Sequence, residues 1–147
     1  MDDELEQRAR IRDTLVRYTV AFRRKDVDAL DAVFAPGAVI DYRESGGAVA
    51  DWAATKQWVA SVLADCHRFL LYVGDSTYAF AGDGASAQVE TSWHGVFVQQ
   101  VDGPSLQVYG TYEDRFVRTA DGWRIEERVD HPLAQVVNVA PVALEGG

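Results

Sequence analysis

IRDTLVRYTVAFRRKDVDALDAVFAPGAVIDY, residues Ile11 to Tyr42, reads as helix, turn, helix and first strand in unbroken succession, and the rest of the chain is organised around it. Ile11, Leu15, Tyr18 and Phe22 recur at helical spacing, which predicts an apolar stripe on the first helix with Tyr18 inside it. A tyrosine hydroxyl in such a stripe needs a hydrogen-bond partner. Arg23, Arg24 and Lys25 put cations in the last turn, where the helix dipole favours them. Asp26 is expected to cap a second helix carrying Leu30, Val33 and Phe34, and Pro36-Gly37 to stop it.

Beyond Tyr42 the polar stretch RESGGAVAD reads as a loop. Asp51 can cap a third helix, with Trp52, Thr55, Trp58, Val59 and Val62 on its inner side and an end near Asp65. From there to residue 131 the pattern is mostly two-fold, as strands require. Phe69, Leu71 and Val73 alternate with Leu70 and Tyr72, and Val89, Thr91, Trp93, Gly95 and Phe97 share one face of a long strand. Turns are expected at Gly82-Asp83-Gly84, Asp102-Gly103-Pro104 and 119–122, leaving final strands at about 105–119 and 123–131. The fold class is α+β.

Strand parity selects the inward polar residues. Tyr112, Asp114 and Phe116 share one face, and on the next strand Trp123, Ile125, Glu127, Val129 and His131 line up while Arg124, Glu126, Arg128 and Asp130 alternate outward. Asp114 and Glu127 then fall opposite or diagonal to one another. Two carboxylates on one desolvated face cannot both ionise cheaply, so one is expected to hold a proton near neutral pH. The structural alternative is that the Asp114 and Glu127 pair is neutralised by an arginine or by backbone donors. His131 has an unperturbed pKa suited to proton transfer and shares the parity of Glu127. His94 and Asp41 read as facing away from the aromatic side, and Arg23 as a solvated helix end.

With 23 acidic and 14 basic residues among 147, the net charge of −9 argues against nucleic acid and anionic membranes as partners. No apolar run approaches membrane-spanning length and MDDELEQ is unlike a signal peptide, so a cytoplasmic location is expected. The single cysteine, Cys66, excludes an internal disulfide, and His67, His94 and His131 show no metal-ligand spacing. One domain over 1–147 is expected, with a core at about 8–131 and a tail at 132–147.

The pattern RY-x3-F-x3-D-x-DAL-x3-F from Arg17 to Phe34, followed by AVIDY and later by GTYEDRFVRTADGWRI, resembles the nuclear transport factor 2-like superfamily, in particular its SnoaL-like, ketosteroid isomerase and scytalone dehydratase branches. The resemblance implies a cone-shaped, curved antiparallel sheet packed on three helices from the N-terminal half, with a small-molecule pocket at its open end. Against ketosteroid isomerases, Tyr18 falls on the oxyanion-hole tyrosine, Asp114 on the protonated aspartate and Tyr42 on the general base, so the base is replaced. Against scytalone dehydratase, Tyr42 matches the pocket tyrosine, while the catalytic histidine falls near Leu71; the aspartate that orients this histidine in related dehydrochlorinases falls on Arg23. A base would then come from Glu127, His131 or Asp114. Phe22, Leu71, Trp93, Tyr112, Phe116 and Val129 are expected to contact substrate.

The resemblance implies an enzyme without a cofactor that isomerises, dehydrates or cyclises an apolar, oxygenated, steroid- or polyketide-like molecule. The alternatives are a non-catalytic binding or association domain of the same fold, or an epoxide hydrolase. It also implies a homo-oligomer, most simply a dimer, joined through the convex face on which Val96 and Val98 lie.

Overall fold

The structure, a computed structural model, describes residues 3–138. Helix α1, Glu4–Arg24, starts where the Asp3 side chain accepts from Leu5 N and ends at Lys25, whose left-handed backbone lets its N–H return to Ala21 and Phe22 carbonyls. Its stripe of Ile11, Leu15, Tyr18 and Phe22 is buried as the spacing requires. Helix α2, Trp52–Ala64, is capped by Asp51, which accepts from Ala54 N at 2.9 Å, and buries Trp52, Thr55, Val59 and Leu63.

Six strands follow or separate these helices: β1 Phe34–Asp41, β2 Val49–Asp51, β3 Arg68–Phe80, β4 Ser86–Val98, β5 Ser105–Thr119 and β6 Gly122–Asn138. They form one curved sheet in the order β2-β1-β6-β5-β4-β3, wrapped on α1 and α2. The α+β class therefore stands, with local corrections. The expected second helix is a single 3-10 segment, Asp28–Ala32, that ends before Phe34. Val33 and Phe34 are taken by the sheet instead: Ile125 N donates to Val33 O at 2.8 Å and Phe34 pairs with Ile125. Pro36 and Gly37 lie in an irregularity of β1 rather than at a helix end, Gly37 with φ +74°. The 43–51 stretch holds a 3-10 turn, Arg43–Ser45, and the short strand β2.

The sheet is mixed, because β1 runs parallel to β6 while every other neighbouring pair is antiparallel. β6 also continues past His131 to Asn138, carrying Pro132 at a register shift opposite Gly110. The decisive irregularity lies earlier in β6. Arg115 pairs with Glu127 and Phe116 with Ile125, which leaves Glu126 without a partner. This bulge reverses the facing of everything after it. Trp123 and Ile125 point into the core, but beyond the bulge Arg128 and Asp130 are buried while Glu127 is exposed. No helix among the described residues is long and apolar enough to cross a membrane.

Candidate functional site

Four elements meet at the inner wall of the sheet. Tyr18 comes from the buried stripe of α1, Tyr42 from the end of β1, Tyr112 and Asp114 from β5, and Arg128 from beyond the bulge in β6. Asp114 and Arg128 are cross-strand partners, and their side chains form a bidentate pair: Nε donates to Oδ1 at 2.7 Å and Nη2 to Oδ2 at 2.8 Å. Both side chains are fully buried. Nη1 donates to the Tyr42 hydroxyl at 3.4 Å, and the Tyr42 and Tyr18 hydroxyls share a hydrogen bond of 2.9 Å. The guanidinium carbon also lies 3.8 Å from the Tyr112 ring centre and 4.5 Å from that of Tyr18.

This arrangement sets the protonation states. Burial pushes the Tyr18, Tyr42 and Tyr112 hydroxyls well above their ordinary range, so all three stay neutral. Burial opposes the charge on Arg128, but Asp114 and the phenols outweigh it and hold the guanidinium above its usual value. Burial likewise raises the Asp114 carboxyl, with Arg128 pulling the other way. Asp114 is therefore committed to a cation.

Above the phenols opens a cavity of about 360 Å³. Its wall is mostly apolar, with Phe22, Trp58, Phe69, Leu71, Trp93 and Phe97 around the Tyr18, Tyr42 and Tyr112 hydroxyl-bearing rings. Glycine at 110 matters here, since a Cβ would come within 2.8 Å of Trp93 Cε2 and 2.5 Å of the His131 carbonyl. Asp130, the cross-strand partner of Tyr112, also lines the cavity. Ser45 Oγ–H donates to Asp130 Oδ2, while Asp130 Oδ1 and Trp93 Nε1 are buried without hydrogen-bond partners. Ser45 is aimed by a loop folded onto Tyr42, whose carbonyl accepts from Ser45 N at 3.0 Å and Gly47 N at 2.8 Å.

Of the residues selected from sequence, Tyr18, Tyr42, Phe22, Leu71, Trp93 and Tyr112 are brought together at the cavity. Asp114 is beside it but is not a lining residue, being held by Arg128. Phe116 is fully buried in the core next to Ile125 rather than at the cavity. Glu127, Val129 and His131 are displaced by the bulge. Glu127 pairs with Arg115 on the outer side, Val129 with Glu113, and His131 lies between Glu44 at 3.7 Å and Glu113 at 3.4 Å. The expected acid pair of Asp114 and Glu127 is thus replaced by an acid–base pair of Asp114 and Arg128, a residue expected to face outward. Parity counting missed Arg128, Asp130 and Ser45. The adjacent acids Glu126 and Glu127, a break in strict alternation, were the available signal. Among the described residues no group of three or more His, Cys, Asp or Glu side chains is gathered as a metal site would need.

The model of the SnoaL-like domain matches residues 3–129. An uncharacterized protein of Mycobacterium tuberculosis is 38% identical over 130 residues, covering 86% of each chain. A proposed scytalone dehydratase from Novosphingobium aromaticivorans superposes with a TM-score of 0.82 at 17% identity, over 99% of both chains. A proposed dehydratase of the nuclear transport factor 2-like family from Streptomyces avermitilis gives 0.74 at 17% identity, over 90% of this chain and 98% of that one. At such identities the two structures speak for the fold alone. With the match running from the first helix through the bulge to Val129, this chain belongs to the SnoaL-like domain family and has the nuclear transport factor 2-like fold.

Proposed function

We propose that the protein is an enzyme that binds a small, mostly apolar, oxygenated molecule in this cavity and acts on it by acid–base chemistry without a cofactor. One observation carries the reading: the Tyr18 and Tyr42 hydroxyls, 2.9 Å apart and backed by Arg128, stand on the wall of a cavity otherwise lined by rings and aliphatic chains. A neutral phenol can donate to a carbonyl or hydroxyl oxygen of the ligand, and a fixed donor is most effective where negative charge develops. Arg128 polarises the pair from behind, because Tyr42 accepts from its Nη1; one of the two phenol protons closes the bond between the hydroxyls, which leaves the other O–H of the pair for the ligand. The aromatic walls suit a ring-bearing substrate.

Isomerisation, dehydration and cyclisation all gain from an oxygen held by such donors, and proposed dehydratases occur among the proteins of similar structure. An epoxide hydrolase is disfavoured, since its acid pair is lost: Asp114 is engaged by Arg128 and Glu127 faces outward. A pure association domain is disfavoured by the cavity itself, which such a role leaves without purpose. The test is a panel of steroid, polyketide and phenolic compounds screened by thermal shift. Ligands should raise the Tm of the natural protein and raise it less in Tyr18→Phe. If no compound of the panel stabilises either form, the reading fails.

The outer face supports association with a second copy. Tyr72, His94 and Tyr109 form a row across β3, β4 and β5, with His94 and Tyr109 stacked at 4.4 Å, and Tyr72, Tyr109 and Val136 remain exposed. Of the two valines first expected there, Val98 is buried within the chain and Val96 half-buried. Sedimentation should give a dimer at micromolar concentration; a monomer removes this partner.

A further inference from the structure

The charge on the cavity wall has one sign. Among the described residues the lining holds two acids, Glu44 and Asp130, and no lysine, arginine or histidine. Glu44 stands at the mouth with its side chain 63% exposed, whereas Asp130 is only 4% exposed. Arg128 lies two residues before Asp130, but its Nε and Nη2 are given to Asp114 and its Nη1 to Tyr42. What Asp130 receives is one neutral hydrogen bond, from Ser45 Oγ–H to Oδ2, while the Trp93 N–H only faces it and Oδ1 makes no well-formed bond. Buried carboxylates are ordinarily paired with a cation, because a single hydroxyl does not repay their desolvation. The missing counter-charge is supplied if it arrives with the molecule that fills the cavity.

We propose that the cavity takes a cationic amine, a tertiary ammonium whose N–H donates to Asp130 Oδ1, whose alkyl groups lie on the faces of the neighbouring rings, and whose oxygen, elsewhere on the molecule, meets Tyr18 and Tyr42. The inference rests on the function proposed above and names its substrate class, an N-alkylated amine that carries a ring and an oxygen. Tyr112 is the cross-strand partner of Asp130, Trp93 stacks on Tyr112 with ring centres 5.3 Å apart, and the Tyr42 and Trp58 rings meet at 5.7 Å in the same lining. The faces of such rings attract an ammonium ion, most strongly where water is excluded. Alkylation follows from the count of acceptors. One unpaired carboxylate oxygen matches the single N–H of a tertiary ammonium, whereas a primary ammonium brings three donors to a wall that is mostly rings and aliphatic chains.

The wider field points the same way. A net charge of −9 draws cations toward the chain and turns anions away. The groups facing Asp130 are Arg128 and His131 on β6, Tyr112 on β5, Trp93 on β4, and Tyr42, Glu44 and Ser45 from the segment after β1. Neither cation among them fills the vacancy: Arg128 is held by Asp114, and His131 lies between the outer acids Glu44 and Glu113. Burial pushes the Asp130 carboxyl up, opposed by the Ser45 hydrogen bond, Arg128, the Trp93 N–H and His131. An arriving ammonium opposes that rise further and holds the carboxyl ionised, so ionisation and binding are linked.

The probe is hordenine, which joins a phenol to a dimethylammonium group, set against its neutral carbon isostere 4-isopentylphenol, with both affinities measured by titration calorimetry near neutral pH. The natural protein should bind both. Asp130→Asn should weaken hordenine by about 10–100-fold, the usual contribution of a hydrogen bond to a charged group, and leave 4-isopentylphenol as tight as before. Glu127→Gln removes the same charge from the outer side of the same strand and should change neither affinity, which separates Asp130 from the overall field. With the natural protein alone, acidification should weaken hordenine from above the ordinary carboxylate range and leave the isostere unmoved; should Asp130→Asn lose both probes, this arm decides. Hordenine undiminished in Asp130→Asn, diminished equally in Glu127→Gln, or insensitive to acid overturns the ammonium site and leaves the cavity's binding role standing. Binding of 4-isopentylphenol alone does the same. Binding of neither probe overturns the inference, and the function proposed above is then judged by its own panel.

Discussion

Trp123 and Trp93 lie on the inner face of the same sheet, 3% and 8% exposed, yet their indole N–H groups are treated in opposite ways. Trp123 Nε1 donates to Gln7 Oε1 at 2.8 Å and its carbonyl accepts from Thr14 Oγ1 at 2.9 Å, so α1 and β6 are stitched together by completed hydrogen bonds. Trp93 Nε1 and Asp130 Oδ1 make no such well-formed bond; the indole N–H only faces the carboxylate and opposes the rise that burial gives its pKa. Since the great majority of buried polar groups are paired, the contrast separates a region closed by completed hydrogen bonds from one left incomplete beside the cavity. The Arg128 cluster lies between them and serves both, satisfied on the Asp114 side and open to the cavity through the phenols.

The largest effect should come from breaking the shared cluster. Arg128→Ala leaves Asp114 buried and uncompensated, and should lower stability by about 3–5 kcal/mol in urea unfolding. Next, Gln7→Ala orphans the Trp123 N–H and should destabilise by about 1–3 kcal/mol, with ligand binding measured on the folded protein unchanged. Equal loss of binding would mean the two regions are not separable. Tyr18→Phe keeps the ring and its packing, so stability should fall by only about 0.5–1.5 kcal/mol while turnover falls by about 10²–10³-fold. A larger stability loss with normal turnover would place Tyr18 with Trp123 instead.

The smallest effect is the most diagnostic, because it should have the opposite sign. A carboxyl raised by burial holds its proton in the folded state to higher pH than in the unfolded chain. Between the unfolded value of about 3.9 and the raised folded value, the folded state therefore binds more protons, and stability falls as pH rises through that window. Asp130→Asn removes the ionisation. Its Tm should exceed that of the natural protein at pH 7, the difference closing as pH drops below the unfolded value. A lower Tm for the variant at pH 7 would show the carboxylate to be structurally satisfied.

The apolar stripe of helix α1, the cap at Asp51 and the facing of β3, β4 and most of β5 were legible because each depends on neighbours within a few residues. Helical spacing buries Tyr18, and two-fold alternation carries Trp93, Leu71 and Tyr112 to one side, whatever the strands pair with. That local logic was sufficient to assemble most of the cavity wall. It failed at the second helix, where Val33 and Phe34 had an apolar pattern open to two uses and pairing with Ile125 decided between them.

Strand β6 shows the limit most plainly. Its first half follows alternation, and its second half is reversed by one unpaired residue, Glu126. Strict alternation would set Glu127 against Asp114 on a dry face; the slip sets Arg128 there instead and leaves Glu127 in solvent. The adjacent glutamates allow such a slip, but composition alone does not say that it happens. Which side chains enter the core is settled by the sum of the strand's hydrogen bonds and the electrostatics opposite it, including the parallel partner β1, some 90 residues earlier in the chain. The chain by itself therefore determined the fold family, through the motif that resembles it, and most of the apolar wall with Tyr18 and Tyr112, through short-range periodicity. Tertiary structure alone decided the charged centre, because the partners of Asp114 and Asp130 come from register, and register is a property of strands distant in sequence.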